Sequence, residues 1–174
     1  VLRRQRQMCI RDRFIQTEKT PNPNSLKFLP GRKVSNNGPL EVLNQEDTNN
    51  LLIKNLLQIN GVTGVFLGED FFSINKEENK NWEDIQHIVI SYVNEHYANG
   101  NTCIIDKTNE EDQHKNYSEI EKKIISILDS KIRPAVARDG GDIKFQEFKD
   151  GKVKVLLKGS CSGCPSSTLT LKKG

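Results

Sequence analysis

Apolar residues recur at alternate positions in several short stretches of this chain, and at every third or fourth position in a few longer ones. Phe14–Thr20 reads as a strand and Ser25–Leu29 as a second, with Leu26 and Phe28 on one face. Between them, Pro21-Asn22-Pro23-Asn24 forces a turn, because each proline fixes its own φ and restricts the residue before it. Arg32–Gln45 is polar and loop-like. Asp47 or Thr48 is placed to cap a helix through Leu52, Leu56 and Ile59, which Asn60-Gly61 stops. Val62–Leu67 and Phe71–Asn75 are strand-like and joined by Gly68-Glu69-Asp70. Asn81 is placed to cap a second helix, with Glu83 and Asp84 in its positive first turn. Ile85, Ile88, Val89, Tyr92 and Val93 form its apolar stripe, and it ends at Asn99-Gly100. The order ββαββα predicts a small domain over residues 14–99.

From 100 to 117 the periodicity vanishes and acids, amides and lysines dominate, which reads as a linker. Ser118 and Glu121 have capping-box spacing and open a helix with Ile120, Ile124, Ile127 and Leu128 on one face. Pro134 kinks or divides this helix and Gly140-Gly141 ends it. Asp142–Phe148 and Lys152–Lys158 are strands around the hairpin signal Asp150-Gly151. Val153, Val155 and Leu157 face one way and Lys152, Lys154 and Lys158 the other. A loop, Gly159–Cys164, then leads to a helical start at Pro165. The predicted fold class is α+β: two small domains, 14–99 and 118–174, each a small mostly antiparallel sheet packed with two helices, joined by a polar linker.

Composition fits two modest cores better than one large one: 34% of the 174 residues are hydrophobic and 28% charged. The longest apolar runs, such as Leu51-Leu52-Ile53, fall far short of the roughly 18 residues a membrane span needs. The net charge of +3 is carried by residues 1–13, which hold five Arg and one acid; the remainder has a net charge of −1. With no basic support elsewhere, neither a nucleic-acid nor a membrane partner is expected. Residues 1–13 also lack the Lys-, Ile- and Asn-rich usage of the rest, and they are read as foreign sequence displacing the true start. A transit peptide is the other reading, although the stretch is short and contains no Ser. Four cysteines, two of them close together, do not make a disulfide framework and suit a reducing compartment.

Cys161-Ser162-Gly163-Cys164-Pro165 is the one constellation that asks for chemistry. A tight loop aims two sulfurs at one metal or cluster, and Pro165 suits the first turn of a helix. Near that N-terminus the dipole favours thiolate, the form that binds metal and attacks disulfides. Three readings compete. A thioredoxin-like dithiol belongs in a βαβ context, whereas here a hairpin precedes it. A structural zinc needs two more ligands, and Cys103 and His114 have no partner at ligand spacing. An iron–sulfur cluster commonly takes four thiolates, a number reached if two chains each bring Cys161 and Cys164 across a twofold axis. The remaining candidates read as structural. His87 and His96 lie nine apart on one helix, Trp82 is a packing anchor, Cys103 is a thiol without a task, and Asp139 and Asp142 serve turns. No Ser/His/Asp grouping, phosphate loop or pair of catalytic carboxylates assembles, so enzymatic turnover is not expected.

Two sets of residues resemble a known family. The stretch from Phe14 to Gly31, FIQTEKTPNPNSLKFLPG, and Gly61–Phe72, GVTGVFLGEDFF, are similar to the N-terminal domain of Nfu-type proteins. IRPAVARDGGD (132–142) and GSCSGCPSS (159–167) resemble the NifU C-terminal domain. The resemblance implies an iron–sulfur cluster scaffold that holds a [4Fe–4S] cluster between two protomers through Cys161 and Cys164 and passes it to apo-proteins. It implies a homodimer through the C-terminal domain when cluster-bound, apo iron–sulfur clients as partners, and a bacterial cytoplasm or, alternatively, a mitochondrial matrix. Against the family pattern, Arg13 stands where a start Met is expected, and the chain stops within the final helix, so the C-terminal domain reads as truncated.

Overall fold

The structure, a computed structural model, describes residues 15–36, 38–105 and 116–161. Residues 1–14 with Cys9, residues 106–115 with His114, and residues 162–174 with Cys164 and Pro165, where a helical start is expected, lie outside the described residues.

The Pro-Asn turn folds the first two strands onto each other. Thr20 Oγ1 donates to the carbonyls of Asn22 (2.8 Å) and Ser25 (3.0 Å), and Asn22 Oδ1 accepts from the Asn24 N–H. β1 (Gln16–Lys19) therefore pairs antiparallel with β2 (Ser25–Leu29). β4 (Val62–Leu67) and β5 (Phe72–Lys76) form the next hairpin, and β5 lies beside β2. A further strand, β3 (Leu40–Val42), sits at the edge in the stretch read as loop; with three residues it is too short for alternation to be visible. The sheet order is β1-β2-β5-β4-β3, with every pairing antiparallel.

α1 (Leu51–Gln58) and α2 (Trp82–Ala98) cover one face of this sheet. The cap of α1 is Asn50, not Asp47 or Thr48: its Oδ1 accepts from the Ile53 N–H at 3.2 Å. Its amide also donates to the Ile104 carbonyl at 2.6 Å, a contact 54 residues away that fixes the side chain. Asn81 occupies the N-cap position of α2 without a side-chain cap bond. Leu26, Phe28, Val65, Leu67, Phe72 and Ile74 of the sheet meet Leu52, Ile53, Leu56, Ile85, Val89 and Val93 of the helices. At the centre the Phe28 and Phe72 rings stack in parallel, 4.9 Å between centroids. Trp82 anchors the start of α2, its indole N–H donating to the Pro23 carbonyl at 3.1 Å.

Asn101–Ile105, the head of the polar stretch, is packed onto this domain. Ser35 and Ile105 form a parallel bridge, Ile104 N–H donates to the Val34 carbonyl, and Cys103 and Ile104 are buried. His96 Nε2 lies 2.9 Å from the Cys103 carbonyl, and the Tyr97 hydroxyl donates to the Lys33 carbonyl at 2.9 Å. Burial, reinforced by nearby Cys103 and partly opposed by Arg32, pushes the Tyr97 phenol from its ordinary 10.0 up to about 12. The folded state thus holds this proton more tightly than the unfolded chain. The resulting stability is complete below about pH 10 and is lost as pH climbs toward about 12. In alkaline denaturation followed by Trp82 fluorescence, Tyr97→Phe should flatten the fall in stability across that window. At neutral pH it should cost about 1 kcal/mol for the lost hydrogen bond. An unchanged alkaline slope would refute the assignment.

In the C-terminal domain, Ser118 and Glu121 close the expected capping box at the start of α3 (Glu119–Ile127). The helix divides near Pro134. A widened π-turn, Leu128–Ile132, precedes α4 (Arg133–Arg138), so that proline enters in a first turn, where its missing N–H is not needed. The predicted stripe of α3 is only partly used: Leu128 packs inward, whereas Ile120 and Ile127 are exposed. β6 (Gly141–Lys149) and β7 (Lys152–Gly159) pair around Asp150-Gly151, both with positive φ as a tight hairpin requires. A second, smaller core of Val136, Ile143 and Cys161 is flanked by Leu128, Ile132, Val155 and Leu157. The architecture is α+β with two separate cores, as expected from the sequence.

Candidate functional site

β7 delivers the first cysteine through a turn that only glycine fits. Gly159 has φ +69, and a Cβ there would lie 2.8 Å from both the Gly140 carbonyl and the Phe66 ring. Gly141 faces it across the hairpin register. A Cβ at Gly141 would come within 2.5 Å of the Lys158 carbonyl and 2.9 Å of Cys161 Sγ. The Gly140-Gly141 pair, read from sequence as a helix end, therefore also makes room for the sulfur. Ser160 hydrogen-bonds back to the same turn, its hydroxyl donating to the Asp139 carbonyl and its N–H to that of Gly140.

Cys161 is 3% exposed and its sulfur points into the small C-terminal core. Sγ lies 3.9 Å from the carbonyl of Val136, in the last turn of α4, as a thiol donor. The described half of the motif thus meets the carbonyl end of a helix; the helix expected after Pro165 lies outside the described residues, as does Cys164. Arg133 braces the scaffold around the sulfur. Its guanidinium pairs with Asp129 and Asp142 at 3.1 Å each and donates to the Ile143 carbonyl at 3.2 Å. The Nε–Asp142 contact is an ion pair rather than an aligned hydrogen bond. Asp142 therefore holds helix to strand, which is a larger task than the turn chemistry expected of it.

Among the described residues no group of three or more His, Cys, Asp or Glu side chains converges as a metal site. Cys103 is buried in the N-terminal domain, with the Asn36 amide 3.5 Å from its sulfur. His87 is exposed, and Lys152 and Lys154 stand on the exposed strand face.

Sequence reasoning missed the residues that meet the cysteine turn from the other domain. Glu41 Oε1 accepts from the Gly159 N–H at 2.8 Å and Ser73 Oγ donates to the Gly140 carbonyl at 2.7 Å. Asn22 Nδ2 donates to the Ser160 carbonyl at 3.1 Å, and Lys27 Nζ lies 3.3 Å from the Ala137 carbonyl. These pairings span 67 to 138 positions, and no local pattern signals them.

Two family models match the chain in this same order. "Scaffold protein Nfu/NifU N terminal" fits residues 15–100, and "NifU-like domain" fits residues 124–174, which contain the cysteine turn. The chain belongs to the Nfu/NifU family. Among its relatives, this Nfu/NifU chain is 41% identical over 170 residues to the Drosophila sechellia protein named NFU1 iron-sulfur cluster scaffold homolog, mitochondrial. That alignment covers 95% of this chain and 60% of the relative. The human protein of the same name is 38% identical over 173 residues, covering 95% of this chain and 66% of that one. The chain thus spans about three fifths to two thirds of the length of these relatives. The solution NMR structure of a NifU-like protein from Saccharomyces cerevisiae has a TM-score of 0.49 at 27% identity, over 55% of this chain and 86% of that one.

Proposed function

We propose that this Nfu/NifU chain is an iron–sulfur cluster scaffold and carrier whose cargo is a [4Fe–4S] cluster held by Cys161 and Cys164 of two copies. The observation that carries the reading is the Cys-x-x-Cys pair within the stretch that matches the NifU-like domain. Its first sulfur is set by the glycine-lined turn at the end of β7. The names of the relatives, cluster scaffolds assigned to mitochondria, support both the cargo and a mitochondrial setting in preference to a bacterial cytoplasm.

The donor chemistry fits the cargo. Soft thiolate is the ligand iron–sulfur clusters take, and four are commonly needed where one chain offers a pair. The Cys161 sulfur, a buried thiol facing the Val136 carbonyl, must turn outward and lose its proton before it can ligate iron. Delivery is then ligand exchange: a client thiolate bonds to iron as a scaffold thiolate leaves, with no change of oxidation state and no catalytic residue. The partners are a second copy of the chain and apo-proteins with free cysteines.

Anaerobic reconstitution with iron and sulfide tests the reading. About four of each per dimer are expected, on the usual four-thiolate ligation. Zinc bound without sulfide, or reduction of insulin disulfides by an iron-free chain, would replace this reading with a zinc module or a dithiol oxidoreductase.

A further inference from the structure

We infer that the helix-free face of the N-terminal sheet is a reversible docking surface for the cysteine turn of the same chain, and that it holds Cys161 inward until the domains part. The purpose of such a clamp rests on the cluster-scaffold reading above; its existence rests on the contacts.

One cross-strand row does the docking. The strand register places Glu18 opposite Lys27, Lys27 opposite Ser73, Ser73 opposite Phe66, and Phe66 opposite Glu41. These five residues therefore lie side by side across all five strands, on the face away from α1 and α2. Four of them meet the C-terminal domain at its most sensitive point. Lys27 reaches the Ala137 and Arg138 carbonyls that close α4, and Ser73 donates to the Gly140 carbonyl. The Phe66 ring lies where a Cβ on Gly159 would be, and Glu41 accepts from the Gly159 N–H. Asn22, Lys27, Ser73 and Glu41 thus hold both sides of the turn that carries Cys161.

The chemistry of the row points to a contact that opens. A sheet face sealed permanently into a core is apolar, whereas a face that meets water is polar. This row is polar apart from Phe66, yet Ser73 is 1% exposed and Lys27 is buried. Its bonds go to backbone atoms of the partner domain, which water can replace on separation, as in interfaces between mobile domains. In the docked state the sulfur faces the Val136 carbonyl and is shut off from solvent, so a reagent or an iron atom reaches it only after the turn is released.

Alkylation of the reduced, cluster-free full-length chain tests this, with each cysteine followed separately by peptide mass spectrometry. Two variants break the row without touching the N-terminal core. Glu41→Ala removes the acceptor for Gly159, and Ser73→Leu wedges the sheet off Gly140. Each should raise the alkylation rate of Cys161 about tenfold, the scale of one buried hydrogen bond, while Cys103 keeps its wild-type rate. Amide exchange at Gly159 should quicken in Glu41→Ala. Unchanged Cys161 rates in both variants overturn the clamp, as does a rise at Cys161 matched by an equal rise at Cys103, which reports general unfolding. The measurement uses neither iron nor sulfide. A chain that never takes up a cluster leaves this test intact, and one that takes up a cluster with unaltered labelling keeps the function and loses the clamp.

Discussion

Phe72→Ala should cost about 3–5 kcal/mol of stability, the usual penalty for emptying a buried aromatic site. Phe72 is 0% exposed, lies on the central strand of the five, and stacks on Phe28, which is equally buried. Truncation removes the contact with Phe28 as well as the ring's own burial, and neighbours locked in a sheet cannot close the hole. Against a total of roughly 5–15 kcal/mol for a domain of ordinary stability, the loss brings the N-terminal domain close to its unfolding threshold. Trp82, the chain's single tryptophan, sits at the start of α2 against this core and reports the transition in urea. Phe71→Ala provides the contrast. Phe71 is the next residue but packs on Phe66 and under the Lys27 ammonium, on the docking side, outside the N-terminal core cluster. It should move the Trp82 transition far less. Equal shifts for the two variants would refute the division of the sheet into a core face and a docking face.

That division explains which features the sequence reveals. Alternation in Ser25–Leu29 marks the core face because Leu26 and Phe28 bury there by local chemistry, whereas the unbroken run Val65-Phe66-Leu67 leaves the face of that strand open. The capping box at Ser118 and the hairpin at Asp150-Gly151 are likewise complete within a few residues. What stayed hidden depends on distant partners. Asn50 outcompetes Asp47 and Thr48 as the cap of α1 while its amide is held by Ile104. β3 exists because Leu40 and Val42 pair with Leu67 and Val65, not because of its own pattern. Cys103 and Ile104 sit in a stretch of linker-like composition and are buried because Ile104 and Ile105 pair with Val34 and Ser35. At the candidate site, the Cys-x-x-Cys spacing is visible at once, but the inward aim of Cys161 depends on room at Gly141 and the Val136 carbonyl, and the turn before it is bonded by residues from another domain.

Cys161→Ser should reduce the iron and sulfide retained after anaerobic reconstitution to background. A serine hydroxyl stays protonated near neutral pH and offers a hard oxygen where the cluster takes soft thiolate. In a twofold assembly one substitution per chain deletes two ligands of four, so the loss is total rather than graded. The same outcome is expected for Cys164→Ser. Misfolding is separable from ligand loss at position 161. A serine there is smaller and keeps a donor toward the Val136 carbonyl, so amide exchange in the β6–β7 pair beside the small C-terminal core should stay at its wild-type rates. Cys103→Ser is the counterpart: its sulfur is buried in the N-terminal domain beside Asn36, and the cluster should be retained in full. Retention by the Cys161 variant, or loss in the Cys103 variant with an unchanged Trp82 transition, would move the ligand set away from the turn at the end of β7.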